Sequence, residues 1–463
     1  MSALTHLVQN SKIRRIFKMV TKIAVIGMGY VGIPCAALLA DVDGYDVTGI
    51  QRRSKRSGWK IEVLNSGKSP IEGDEPGLEE LIAKVVKKGT FRVTDNFDVL
   101  SEMDIILIDV QTPTDENNLP RYESLKEVSK EIGKRMKKGT LVVTESTVAP
   151  GTTRNIILPI LEKYSGMKGG KDFYLAFSYE RVMPGKLLEY IVNFPRVVGG
   201  IDQKSTEMAV EMYKKIVKKA VHATEVTTAE LAKTIENAYR DVNIAFANEM
   251  ALVCESLGVD VYEVRELINE RHDRHMHIPG IGVGGHCLPK DTWLLRHGLM
   301  AYGSVKKEPE FITLARRINN YMPIHGAHLV KQSLEEKGVL LTDAVVTILG
   351  VAYLENSDDT RNTPARTLYN ALKEMEIKEI RAHDPYVRQR DFPEVEVKKN
   401  LEEVVNGSDC LVIATKHRQY YNMDLEKLKS IMRTPIIVDG RNVLTKEACE
   451  KVGIFYRGIG KGQ

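Results

Sequence analysis

No apolar run in the chain reaches the roughly 18 residues that a membrane-spanning helix needs, so the bilayer is not expected as its environment. Cysteine is sparse. Cys35, Cys254, Cys287, Cys410 and Cys449 are odd in number, far apart and without a CxxC pair, which argues against a disulfide framework and for reduced thiols in a cytoplasm. An excess of one charge is also lacking. A net charge of +4 over 463 residues offers nucleic acid no strongly basic surface, so small molecules are the expected partners, with no nucleic acid and no membrane. There is no low-complexity tract, no short-period repeat and, in the basic first twenty residues, no apolar segment of a secretory signal. Residues 1–20 read as a disordered extension, with Met19 a candidate initiator.

What is present is enough core for two or three domains: 43% of the residues are hydrophobic and 28% charged, as in soluble globular proteins. From Lys22 the chain reads KIAVIG, MGYVG, IPCAALLADVDG and YDVTGI, which is strand, glycine turn, helix and strand. Apolar runs at 103–110 and 140–147 extend this into a parallel α/β sheet. A long helical pattern with an alanine-rich stripe follows and stops at Gly258. A second alternation of strands and helices occupies 344–353, 377–385, 410–415 and 435–443. The expected architecture is two Rossmann-like, doubly wound halves joined by a helical middle.

Gly27, Gly29 and Gly32 form GxGxxG between a strand and a helix. The first makes the turn, the second admits a pyrophosphate and the third lets helix pack on strand, so a nicotinamide or similar dinucleotide is the expected cofactor. The acidic residue that would grip the ribose is missing, and Gln51, Arg52, Arg53 and Ser54 stand in its place. This set suits either a 2′-phosphate, hence NADP, or a solvated charge cluster beside NAD.

The stretch PGIGVGGHCLPKD poses a chemical question. Gly280, Gly282, Gly284 and Gly285 suggest a loop wrapped against a ligand, and Cys287 beside Lys290 suggests an exposed thiol in an electropositive setting, the conditions for a nucleophile. The competing reading is a small buried hydrophobe. Lys233 and Asn237, four residues apart in AELAKTIEN, share one helix face and offer an ammonium and a carboxamide to an oxyanion, unless that face is plain solvent surface. His272, His275, His277 and His286 crowd the same region, but no second ligand set of familiar spacing joins them, so no metal is expected.

GMGYVG, ESTVAPGTT, AELAKTIENAYRDVNIAFANE and GVGGHCLPKD occur in that order, and with them the chain resembles the UDP-glucose/GDP-mannose dehydrogenase superfamily from residue 21 onward. The resemblance implies a two-step, four-electron oxidation of a UDP-sugar primary alcohol with two nicotinamides per substrate, and a homodimer built on the central helix. It implies an NAD(P) domain at 21–204, a central helical domain at 205–310 and a UDP domain at 311–463. Cys287 then corresponds to the thiol that holds the aldehyde and passes through a thioester. Lys233 and Asn237 correspond to the oxyanion and proton-transfer pair, Asp291 to an assisting carboxylate, Glu180 to the acid of aldehyde and thioester turnover, and Thr147 to a residue positioning water. Tyr30, Val31, Thr112, Thr147 and Arg361 join the cofactor contacts. Arg181, Val182, Gly280, Gly284, His286 and Arg441 join the substrate contacts, and Arg274, with Arg271 second to it, is expected to reach a partner subunit's sugar. GGHC and ERVxPG resemble the members acting on UDP-N-acetylhexosamines, above all UDP-N-acetylmannosamine, with UDP-N-acetylglucosamine and UDP-glucose as alternatives. Gln51 and Leu354 depart from the family pattern. Two rival readings stand beside it: a one-step hydroxyacid dehydrogenase and a dinucleotide-sensing regulator without turnover.

Overall fold

The computed structural model describes residues 20–55, 57–71, 73 and 75–462, so the expected N-terminal extension, except for Val20, and Met19 with it lie outside the described residues. The chain divides into two compact units, the first running through Thr234 and taking in Leu294–Lys306, the second made of Ile235–Trp293 and the chain from Lys307 onward. Residues 205–310, expected as a central domain, are thus shared between them. Among the described residues no helix is long and apolar enough to cross a membrane.

The first unit is built on β1 (Thr21–Ile26), β2 (Tyr45–Ile50), β3 (Phe91–Thr94), β4 (Ile105–Ile108), β5 (Leu141–Thr144), β6 (Tyr174–Phe177), β7 (Arg196–Gly200) and β8 (Val221–Glu225). Their order in the sheet is β3-β2-β1-β4-β5-β6-β7-β8. β1 to β6 are parallel, and Ile23, Ala24, Val25 and Ile26 of β1 and all of β4 and β5 are buried in unbroken runs, as a sheet covered by helices on both faces requires. The wholly parallel sheet expected from sequence is corrected at its far edge: β7 runs antiparallel to β6, and β8 follows β7. β8 (VHATE) carries no continuous apolar run and is largely exposed, which is why its sequence did not announce a strand. It also carries the first sheet past the boundary expected at residue 204.

The second unit repeats the plan with β9 (Val345–Leu349), β10 (Glu379–His383), β11 (Val397–Lys398), β12 (Cys410–Ile413), β13 (Ile436–Asp439) and β14 (Phe455–Gly458), in the order β11-β10-β9-β12-β13-β14. All six are parallel. In both sheets the strand order reverses beside the first strand, between β1 and β4 and between β9 and β12, and the carboxyl ends of the strands there form the crevice where open α/β sheets take ligands.

The central helix, Val226–Leu257, is one continuous element of 32 residues that ends, as expected, at Gly258, whose φ of +72° suits glycine. Buried carboxylates fix its rotation. In the first unit Glu230 accepts the N–H groups of Gly151 (2.6 Å) and Thr153 (2.8 Å), while burial pushes its carboxyl up to about 7. In the second, Asp241 meets the fully buried Arg316 at 2.6 Å and Asn319 at 2.8 Å. Removing one partner of a buried ion pair strands the other charge. Arg316→Met is therefore expected to lower stability by about 3–5 kcal/mol, read from the denaturant midpoint, and an unchanged midpoint would show that the pair does not hold the helix.

Candidate active site

β1 ends in the glycine turn. Gly27 has φ +112°, and a Cβ there would lie 2.4 Å from Asp109 O; a Cβ on Gly32 would lie 2.0 Å from Gly27 O. Neither position tolerates a side chain. At Gly29 a Cβ would meet nothing within 4 Å, so this is the open side on which a pyrophosphate can approach the backbone. Tyr30 and Val31 lead into the helix Gly32–Asp41, whose start carries no side-chain cap; Ile33 N donates to Gly29 O (3.1 Å), and the dipole of this helix end favours an anion. The residues present fit a dinucleotide.

Gln51, at the end of β2, is a loop clasp: its Oε1 accepts Met28 N (3.1 Å) and its Nε2 donates to Ser57 Oγ (3.0 Å). Arg52 pairs with Glu127 (3.0 Å), and Arg53 with Asp95 (2.8 Å) and Glu62 (3.0 Å). Of the two readings of this stretch the structure favours the charge cluster, because three carboxylates beside the arginines would repel a 2′-phosphate. Thr112 Oγ1 donates to Thr147 O at 2.6 Å and ties the loop after β4 to the loop after β5.

The expected groups of the first unit converge on Tyr179, which sequence reasoning missed. Lys233 is buried, donates to Glu180 O (2.9 Å) and lies 5.4 Å over the Tyr179 ring. Arg181 lies 5.0 Å over the same ring, donates to the Tyr179 hydroxyl (2.8 Å) and to Pro195 O (2.5 Å). Glu180 Oε2 accepts Val182 N at 2.5 Å, which holds the carboxylate against its own turn. An aromatic between two cations is a three-dimensional arrangement that local sequence does not signal.

In the second unit Cys287 is exposed while Cys254, Cys410 and Cys449 are buried, as Cys35 is in the first. Its carbonyl accepts Lys290 N (3.0 Å) and Asp291 N (2.9 Å), placing the thiol at the start of the helix Leu288–Tyr302, where the dipole favours negative charge. Asp291 is buried, pairs with Lys290 at 2.9 Å and accepts from Asn237 Nδ2 at 2.5 Å. The lysine expected to make the setting electropositive is itself buried and paired with Asp291, so its charge is partly answered by that carboxylate. His286 is pushed down to about 4, first by burial and then by Lys290 and Arg361, so its imidazole is neutral at pH 7.

The glycines of the loop also need a corrected reason. A Cβ on Gly282 would lie 2.8 Å from Pro323, on Gly284 2.6 Å from Tyr353 and on Gly285 2.8 Å from the Tyr353 ring, so the close approach is to the protein's own side chains rather than to a ligand alone. Gly280 N donates to Asn248 Oδ1 (2.9 Å) and fixes the loop to the central helix. Beside it lies a cavity of about 480 Å³ lined by Gly280, Gly282, Gly284, Tyr353, Arg441 and by Arg240, Arg265, His275 and His277. No carboxylate is among its lining residues. Such a cavity suits an acidic ligand. Arg441 donates to Gly282 O (3.2 Å) and Ala414 O (2.9 Å), so it spans the glycine loop and the end of β12. Arg240, which is exposed, and the half-buried Arg265 were not singled out from sequence, since an arginine on a helix reads as solvent surface until the fold shows a cavity beside it. Arg274 and Arg271 lie on an exposed loop, both paired with Asp273, and Arg361 is clasped by Asp359 at 2.5 Å. Among the described residues no three His, Cys, Asp or Glu side chains are grouped to hold a metal ion.

A doubly wound sheet with this glycine turn at its switch point defines a dinucleotide-binding protein. Comparison with known proteins goes further: residues 21–217 match the NAD binding domain of the UDP-glucose/GDP-mannose dehydrogenase family, 227–321 its central domain and 347–446 its UDP binding domain. The chain belongs to this family and is an NAD-dependent UDP-sugar dehydrogenase. Among its relatives, UDP-N-acetyl-D-mannosamine dehydrogenase of Pyrococcus horikoshii is 40% identical over 95% of this chain and 99% of its own length. The solved structure of UDP-D-ManNAc dehydrogenase from that organism has a TM-score of 0.87 at 39% identity and covers 95% of this chain and 99% of its own. That of NDP-N-acetyl-D-galactosaminuronic acid dehydrogenase from Methanosarcina mazei Go1 has a TM-score of 0.86 at 41% identity and covers 100% of this chain and 98% of its own.

With Arg52 and Arg53 already paired, kcat/KM is expected to favour NAD over NADP by roughly tenfold or more in steady-state kinetics. Equal use of the two cofactors would contradict the assignment of these arginines to the loop.

Proposed function

We propose that the chain oxidises the C6 hydroxymethyl group of a UDP-N-acetylhexosamine, foremost UDP-N-acetyl-D-mannosamine, to the carboxylate in two stages, with Cys287 holding the aldehyde between them. The observation that carries this reading is the exposed Cys287 thiol at a helix start, on the same glycine loop that walls the cation-lined cavity. Arg240, Arg265 and Arg441 suit the diphosphate of UDP, and His286 with Arg181 is assigned to the N-acetylated sugar.

An oxidation of four electrons passes through an aldehyde, which escapes unless it is held covalently. NAD held at the Gly27–Gly32 turn would supply the hydride acceptor for each stage. Lys233 and Asn237, one turn apart on the central helix, offer an ammonium and a carboxamide to the developing oxyanion, and Lys233 relays the hydroxyl proton. The Cys287 sulfur then bonds to the aldehyde carbon and the carbonyl oxygen takes up a proton, giving a thiohemiacetal. Loss of the second hydride and of that proton leaves a thioester. Water positioned by Thr147 and deprotonated by Glu180 attacks the thioester carbon, the C–S bond breaks and the sulfur leaves. Asp291, through its hydrogen bond to Asn237, keeps the carboxamide turned toward the oxyanion. In sum, one alcohol, one water and two NAD⁺ become one carboxylate, two NADH and three protons.

The active form in this reading is a homodimer. Ile235, Tyr239, Phe246, Val253 and Leu257 are exposed on the central helix at steps of four and seven residues, one apolar stripe that a second copy of the same helix would cover. Arg274, with Arg271 behind it, extends from an exposed loop toward the partner's sugar. The 41% identity to the M. mazei enzyme favours a second reading in which the sugar has the galacto configuration.

A panel of UDP-N-acetylmannosamine, UDP-N-acetylglucosamine, UDP-N-acetylgalactosamine and UDP-glucose is expected to show the highest kcat/KM with the first and two NADH per uronate. One NADH per product, or no turnover with any member, would overturn the proposal. Lys233→Ala is expected to lower kcat by about 10²–10³-fold with little change in KM, by loss of an oxyanion contact. A change confined to KM would make Lys233 a binding residue only.

A further inference from the structure

Beneath the dinucleotide turn lies a buried polar cluster that the chemistry above does not use. Asp109, the residue after β4, donates its N–H to Ile26 O (2.8 Å) and presses against the turn: the Cβ that Gly32 lacks would sit 3.3 Å from Asp109 Cβ. Glu145, the residue after β5, is buried, and its Oε1 is fully engaged. It accepts from Arg196, from the Tyr213 hydroxyl at 2.7 Å and from the Cys35 thiol at 3.7 Å. Arg196 also donates to Ser178 Oγ (2.8 Å) and stacks 3.9 Å over the Tyr213 ring.

The other two oxygens are the anomaly. Asp109 and Glu145 directly follow the paired residues Ile108 and Thr144 of adjacent parallel strands, and Asp109 Oδ2 and Glu145 Oε2 are both shut off from solvent with no donor facing either. Two carboxylates are acceptors only and cannot satisfy each other, whereas a proton on one of them supplies the donor that both orphaned oxygens lack. Charge agrees with geometry. Burial first, then Glu145 and Glu180, pushes Asp109 well above the usual carboxylate range, and the Arg196 cation that opposes this is already paired with Glu145. Cys35 and Tyr213, which donate to Glu145, are themselves pushed up and stay uncharged.

We propose that Asp109 is carried as a neutral carboxylic acid that donates its proton to Glu145, and that it is a positioning residue for the cofactor. It joins the strand ends β4 and β5 under the Gly27–Gly32 turn without placing a negative charge beneath the pyrophosphate. The group that binds above it is an anion, so a neutral floor with a hydrogen-bond donor is what this position demands.

The test uses the full chain with NAD and two substitutions. Asp109→Asn keeps the shape and a donor without a charge, and it is expected to bind NAD within about threefold of the wild type by titration calorimetry. Asp109→Leu removes the donor and is expected to weaken NAD by about tenfold while the KM for the UDP-sugar stays unchanged. A purely structural role would not distinguish the protonation state, and unfolding linkage does. A carboxyl protonated in the native state and ionised in the unfolded one contributes stability that is full below its unfolded pKa and is lost as pH rises. Above the unfolded carboxyl's range the unfolding constant of the wild type should therefore climb with pH relative to that of Asp109→Asn, by at most about tenfold per pH unit, until the native carboxyl ionises. No relative slope would mean that Asp109 is ionised and would overturn the proposal even if Asp109→Leu failed to fold. NAD binding by Asp109→Asn as weak as that of Asp109→Leu would overturn it as well.

Discussion

Rotating a helix by one residue swings each side chain through about 100°, so two groups one turn apart are useful to a reacting atom only if the helix that bears them cannot turn. In this protein that constraint falls on buried carboxylates. Glu230 receives the N–H groups of Gly151 and Thr153, and Asp241 is locked to Arg316 and Asn319. Left without donors these carboxylates would each cost several kcal/mol, so only one register of the central helix satisfies them. That register presents Lys233 to the Glu180 turn in the first unit and Asn237 to Asp291 in the second.

The second consequence is a division of electrostatic labour. Charged groups near the candidate chemistry are mostly spent on each other, Lys290 on Asp291 and Arg361 on Asp359, while His286 is held neutral by burial. The unspent positive charge gathers instead in the cavity of Arg240, Arg265 and Arg441, away from the thiol's own residue but walled by the same loop. Positive charge is thus placed where an acidic nucleotide would be held, and dipolar groups are placed where bonds are proposed to change.

Much of this was legible in the sequence because it is local. GxGxxG between a strand and a helix, the unbroken apolar strands and the helix ending at Gly258 each rest on residues a few positions apart, and each stands in the structure as read. The reversed strands β7 and β8 were not legible, because β8 is polar and exposed and gives no periodic signal. Lys290 misled because a lysine after a cysteine reads as surface charge until its partner is found to be buried. Tyr179, Arg240, Arg265 and the Asp109–Glu145 pair escaped for one reason: their partners are brought together by the sheets and helices, not by adjacency in the chain.

The central claim is that a sulfur atom carries the substrate between two oxidations. Rapid quenching of the enzyme during turnover with NAD and UDP-N-acetylmannosamine, followed by peptide mass mapping, tests it most directly. The account predicts an acyl adduct of the sugar nucleotide on the peptide bearing Cys287 and on no other cysteine. Uronate formation at full rate while Cys287 remains unmodified throughout would contradict it.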